Sequence, residues 1–139
     1  MLIFAYFRPQ SRKVTAMSAQ TITFRSEPRI VAVSSVAGNK EAEGIIGKYA
    51  DTLLKDDMFG EDTYEKAECK MLTHVIEGVI RKGGQRREEV GVLVSGDLLN
   101  QIISASFSAR DLGIPFLGIY GACSTMAESL LLSAALLDG

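Results

Sequence analysis

The chain is poor in the residues from which metal and redox centres are built: 139 residues carry two cysteines, Cys69 and Cys123, and a single histidine, His74. The cysteines lack the spacing of a zinc site or a dithiol pair, so no metal centre and no disulfide framework are expected, and a reducing intracellular setting is. Charge of one sign is missing too. Fifteen basic residues against 17 acidic ones leave a net charge of -2, so no global field gathers nucleic acid or anionic lipid. No apolar run reaches membrane-spanning length; the segment Leu2 to Phe7 is cut off by Arg8 and Pro9, too short for a secretory core or a bilayer span. There is no phosphate-cradling glycine fingerprint, and no cofactor is expected.

What is present is enough for one compact domain, or part of one: 47% of the residues are hydrophobic, in a chain too short for two ordinary domains. Residues 1–21 read as a poorly ordered leader with a basic cluster at Arg8, Arg12 and Lys13, either a frayed terminus or an extension ahead of Met17. Residues 22–139 form the domain. Its first element is the β-branched run Arg29-Ile-Val-Ala-Val-Ser34, a buried strand just after Pro28. Turn chemistry follows at residues 36–40, then a loop with a weak helix to Gly60.

From Thr63 the pattern turns helical. Asp62 or Thr63 can accept the first free amide hydrogens, Glu65 suits the positive helix end, and Gly83-Gly84 closes the helix. Glu68, Leu72, Val75, Ile76, Val79 and Ile80 share one face, with Lys70, His74, Glu77 and Arg81 turned away. Val90-Gly-Val-Leu-Val94 is a continuous apolar strand. Asp97 N-caps a second helix carrying Leu98, Leu99, Ile102, Ile103 and Phe107, stopped at Leu112-Gly-Ile-Pro115. Phe116 to Ile119 is a third strand, and Gly121-Ala-Cys-Ser-Thr125 turns it into a last helix. Such alternation predicts an α/β fold with a mainly parallel sheet, right-handed crossovers and helices on both faces. With no further strand after the last helix, a truncated, larger architecture is expected.

Two segments carry candidate chemistry. Cys123, where a strand becomes a helix, sits at the positive end of the helix dipole near free amides, a setting that favours thiolate. Gly121 permits the tight backbone such a presentation needs. Packing explains a small cysteine at a helix start equally well. The second segment is the Gly-Asp turn with Asp97, Asn100 and Gln101, at the strand edge where α/β sheets collect ligands; a simple N-cap with two solvated carboxamides is the alternative. His74 faces away from this edge and is a poor base for Cys123, and Cys69 reads as a packing residue.

The strings Gly96-Asp-Leu-Leu-Asn-Gln101, Ala109-Arg-Asp-Leu-Gly-Ile-Pro-Phe-Leu-Gly118 and Tyr120-Gly-Ala-Cys-Ser-Thr-Met-Ala-Glu-Ser129 together resemble the stage V sporulation protein AD (SpoVAD) family. The Ala-Cys-Ser core alone resembles thiolases and ketoacyl synthases at large. The SpoVAD resemblance implies a thiolase-like fold of which this chain covers the N-terminal part, with the histidines and second cysteine of catalytic thiolases in the remainder. It implies binding of dipicolinic acid, with calcium as an accompanying ion, during uptake into the developing spore. It implies membrane-embedded SpoVA partners, a homo-dimer through the thiolase-like interface, and a forespore location peripheral to the inner spore membrane. The ligand-binding residues so expected are Asp97, Asn100, Gln101, Cys123 and Ser124. Cys123 occupies the nucleophile position of catalytic relatives, so a thiolase-like acyltransferase is the alternative function. An incomplete copy of the fold is expected to expose an unpaired sheet edge and an uncovered helix face.

Overall fold

The computed structural model describes residues 2–8, 21–99 and 101–139. In chain order its main elements are β1 (Leu2–Arg8), β2 (Arg29–Ala37), α1 (Asn39–Ala42), β3 (Thr52–Leu53), α2 (Tyr64–Lys82), β4 (Leu93–Ser95), α3 (Ile103–Leu112), β5 (Phe116–Gly118) and α4 (Thr125–Asp138). The fold is α/β, as the alternation of patterns predicts.

The strands group into two sheets rather than one. β2 pairs in parallel with β3 and antiparallel with β1, and β4 pairs in parallel with β5. Leu2–Arg8, read from sequence as part of a leader, therefore forms a strand alongside β2. Residues 9–20, with Arg12 and Lys13, lie outside the described residues. The strand expected at 90–94 begins only at Leu93. Glu89 delays it by accepting the Arg86 amide at 2.7 Å, and the Val90 amide closes onto the Arg87 carbonyl, so residues 86–90 turn before extending.

α2 organises the domain. Thr63 is its N-cap, accepting the Lys66 amide at 3.2 Å, and Arg81 and Lys82 lie in its last turn, where the helix dipole favours positive charge. It buries Ala67, Leu72, Val75, Ile76, Gly78 and Val79. Two apolar clusters share it: Val75 packs with Val36 and Leu54, while Ile76 packs with Leu93, Ala109, Leu112 and Ile114. α2 thus joins the two sheets. Gly78 lets it lie close on β2, because a Cβ there would run into the Ser34 hydroxyl.

α3 departs from the sequence reading. It starts at Ile103, not directly after Asp97, and buries Ser104, Ala105, Ser108, Ala109 and Leu112, while Leu98, Leu99, Ile103 and Phe107 are exposed. The small face is what close packing on α2 demands. The Ser108 hydroxyl reaches the Cys69 carbonyl at 3.1 Å and the Ser104 carbonyl at 3.0 Å, and Cys69 Sγ lies 3.3 Å from Ser108 Oγ. The exit of α3 follows expectation. Gly113 is left-handed at φ 66°, its amide bonding Arg110 while the Ile114 amide bonds Ala109, a Schellman arrangement.

Candidate functional site

β4 and β5 run side by side in one direction, with Ser95 opposite Gly118 and the Ile119 amide bonding the Ser95 carbonyl at 3.0 Å. Both strands therefore release the chain at the same edge. The turn after Ser95 and the turn carrying Cys123 become neighbours, as parallel topology requires. Glycine makes their contact possible: a Cβ on Gly96 would collide with the Ile119 carbonyl and come within 3.2 Å of the Thr125 methyl.

Between α2, β4 and α4 lies a cleft of about 590 Å³, whose lining includes Ser95, Gly96, Asp97, Cys123 and Thr125. Its remaining walls are chiefly apolar, with Val33, Val79, Ile80, Met126 and Leu130 among them. Volume and lining are those of a small-ligand site, mostly apolar with a few polar groups.

Cys123 is exposed and opens onto this cleft. It lies in a short 3-10 turn, Ala122–Ser124, that leads directly into α4. The strained residue of the turn is Ala122, with φ 47°, and not Gly121, whose φ is -129°. Gly121 is needed for space instead. A side chain there would overlap Ser124 Oγ and the Glu128 carboxylate. Left-handed backbone at an alanine costs about 1 kcal/mol or more, and such strain beside an exposed thiol is common at functional turns.

Asp97 is buried, and both of its carboxylate oxygens are committed: Oδ1 accepts the Ile102 amide at 2.9 Å and Oδ2 the Ala105 amide at 3.0 Å. It caps α3 from five residues upstream, holding in place a turn in which Gln101 and Ile102 are left-handed. Ser124 donates within its own turn, lying 2.8 Å from the Gly121 carbonyl and 2.9 Å from Glu128 Oε1. One hydroxyl proton facing two acceptors leaves none for a ligand. Gln101 is exposed and is not among the residues lining the cleft. Asn100 lies outside the described residues. Of the expected ligand-binding set, the structure brings Cys123 and Asp97 to one cleft, with Asp97 as its brace.

His74 lies elsewhere. Its Nε2 is 2.9 Å from Thr52 Oγ1, its ring meets Phe59 edge-on, and it lines a separate cavity with Cys69 and Asp111.

The group that the sequence reading passed over is Glu68. It lines the Cys123 cleft, and its Oε1 accepts the Leu98 amide at 3.3 Å, which ties α2 to the turn after β4. Among the described residues its Oε2 is sealed from solvent without a hydrogen-bond partner, as is Thr125 Oγ1. A carboxylate on the apolar face of an amphipathic helix was the available signal.

Two comparisons bear on identity. The family model described as Stage V sporulation protein AD (SpoVAD) matches residues 18–139. Stage V sporulation protein AD of Bacillus subtilis (strain 168) is 32% identical over 120 residues, covering 86% of this chain and 36% of that protein. The chain thus spans little more than a third of the length of the relative it matches. With the matched residues taking in both strand-end turns and the helices that hold them, the chain belongs to the stage V sporulation protein AD family.

Proposed function

We propose that the cleft beside Cys123 binds dipicolinic acid, and that the chain serves the uptake of that compound into the forespore as part of a SpoVA system with membrane-embedded partners. The observation that carries this reading is the convergence of Cys123, the turn after β4 and Glu68 on one mainly apolar cleft of small-ligand size. The flat pyridine ring suits the apolar walls, and its polar groups suit the strand-end turns. Calcium enters as the ligand's own counter-ion, because Asp97 already holds two backbone amides. The same reading gives the domain a thiolase-like scaffold, a forespore location peripheral to the inner spore membrane, and a homo-dimer. Exposed Leu117 on β5 and Leu131, Leu132 and Leu136 on α4 supply apolar surface for association. Among the described residues no helix is long and apolar enough to cross a membrane.

Isothermal titration with dipicolinate is the test. Cys123→Phe is expected to weaken binding at least tenfold, and unchanged affinity moves the site elsewhere.

A second reading, a thiolase-like acyltransferase, is favoured by the exposed thiol behind left-handed Ala122. In that case the Cys123 thiolate attacks the carbonyl of an acyl-CoA, the carbon–sulfur bond to CoA breaks, and CoA thiolate leaves and takes up a proton. Incubation with acetyl-CoA and mass spectrometry decides: an acyl adduct on the wild type that is absent from Cys123→Ser selects the enzyme.

A further inference from the structure

The cleft is long, and its two ends differ. Its wall on α2 runs from Tyr64 to Ile80, a helical span of about 24 Å. The other walls are ordered along it. Ile76 packs with Leu93 while Glu68 accepts the Leu98 amide at 3.3 Å, so β4 and the turn after it run against the direction of α2. β2 does the same: Val36 packs with Val75, Ser34 lies against Gly78, and the Val33 carbonyl accepts from Lys82 Nζ at 3.0 Å. α4 starts beside Gly96, close to the Thr125 methyl, and ends at Asp138, whose carboxylate accepts the Ser26 amide at 2.6 Å just ahead of β2.

These pairings sort the lining. Glu68, Asp97, Cys123 and Thr125 gather where α2 begins and β4 ends, whereas Val33, Val79, Ile80, Val90 and Val92 gather where α2 ends. The apolar end is the gap over α2 between β2 and β4, which belong to separate sheets. Charge narrows the occupant further. Among the described residues no lysine, arginine or histidine lines the cleft, whereas Asp57, Glu68 and Asp97 do. An anionic head group would meet carboxylates without a counter-charge in a partly desolvated site. A flat ring at the Cys123 end leaves the apolar end unfilled.

We infer that the cleft is also a binding site for an unbranched aliphatic chain with an uncharged polar head, the head at the Cys123 turn and the tail laid along α2 toward Val33 and Ile80. The inference goes beyond the dipicolinate reading, since it concerns the part of the cleft that a single ring does not fill. Length and charge select this occupant together. A narrow apolar lane rewards each methylene taken from water, and the absence of a lining cation disfavours the corresponding fatty acid anion.

Hexanol, octanol, decanol and octanoate are the probes, titrated calorimetrically at pH 8. Affinity should rise about tenfold from hexanol to octanol and about tenfold again to decanol, as two buried methylenes per step require, and octanoate should bind about tenfold more weakly than octanol. Decanol should also slow alkylation of Cys123 by iodoacetamide. Val33→Trp fills the far end from a side chain that is 50% exposed. It should leave hexanol binding unchanged and shrink the step from octanol to decanol to about twofold or less. Val92→Trp, at a position 39% exposed on the way into β4, makes the same test should the first variant fail to fold, with the melting temperature as the check on each. Equal affinity for the three alcohols, octanoate bound as tightly as octanol, unchanged alkylation of Cys123, or a length dependence that survives in folded Val33→Trp or Val92→Trp overturns the inference. Dipicolinate titrated into the same samples separates the two readings. Failure to bind dipicolinate with the length dependence intact removes the dipicolinate reading alone, and dipicolinate binding without any length dependence removes this inference alone.

Discussion

α2 and α4 are both rich in apolar residues, yet they use them differently. α2 turns Val75, at 0% exposure, and Ile76, at 3%, into the junction of two clusters. α4 buries Ala134 and leaves Leu136 at 56% exposure, with Met126, Leu131 and Leu132 exposed as well. α2 has a polar face and a core-facing stripe, the pattern of a helix that completes its burial within its own domain. α4 is apolar nearly all round, the pattern of a helix covered on several sides. One helix holds the domain together, and the other offers surface for a further contact.

That contrast can be broken by mutation. The largest effect is expected for Leu72→Ala, which should cost about 2–5 kcal/mol in denaturant unfolding because it opens a cavity under α2, where Leu72 is fully buried. Leu136→Ala should change stability by less than about 0.5 kcal/mol. Next comes Asp97→Ala. Removing the acceptor of two amides, one of them buried, should cost about 1–3 kcal/mol, and it should also weaken ligand binding by loosening the turn that edges the cleft. Thr63→Ala, which removes the N-cap of α2, should cost about 1 kcal/mol.

Paired substitutions on α4, Leu132→Glu with Leu136→Glu, should leave the melting temperature nearly unchanged. They should lower self-association, as measured by analytical ultracentrifugation. A large loss of stability from that pair would show that α4 is as integral to the core as α2.

The smallest effect is electrostatic. Lys82, at the end of α2, hydrogen-bonds the Asp51 carboxylate and holds its pKa below the usual 3.8, with the Ser35 amide assisting. A carboxylate with a lowered folded pKa adds stability above the unfolded value, and this is lost as pH falls through the folded value. Asp51→Asn should therefore lower stability near neutral pH by less than about 1 kcal/mol for so exposed a pair. It should also flatten the acid limb of the stability profile below about pH 4.

Much of this architecture was legible because periodicity reports burial. The helix beginning after Thr63, the Gly-Ile-Pro stop at residues 113–115 and the strand-to-helix turn at Cys123 all stand where local chemistry puts them. The inner face of α3 was not legible. Its large apolar residues stand out in the sequence, but close approach to α2 selected the serine and alanine face, with the Ser108 hydroxyl satisfied by backbone carbonyls. β1 was missed because its pairing with β2 depends on a partner far along the chain. Of the candidate site, Cys123 and Asp97 could be placed from turn chemistry alone. Glu68 could not, since only the packing of α2 against the turn after β4 shows that a carboxylate on an apolar face opens into the same cleft.

The account turns on Cys123 sharing a ligand cleft with the turn after β4, and alkylation by iodoacetamide tests this directly, with Cys69 as the internal control. At saturating dipicolinate, modification of Cys123 should slow at least tenfold while that of Cys69 is unchanged. Equal rates at Cys123 with and without bound ligand would contradict the account.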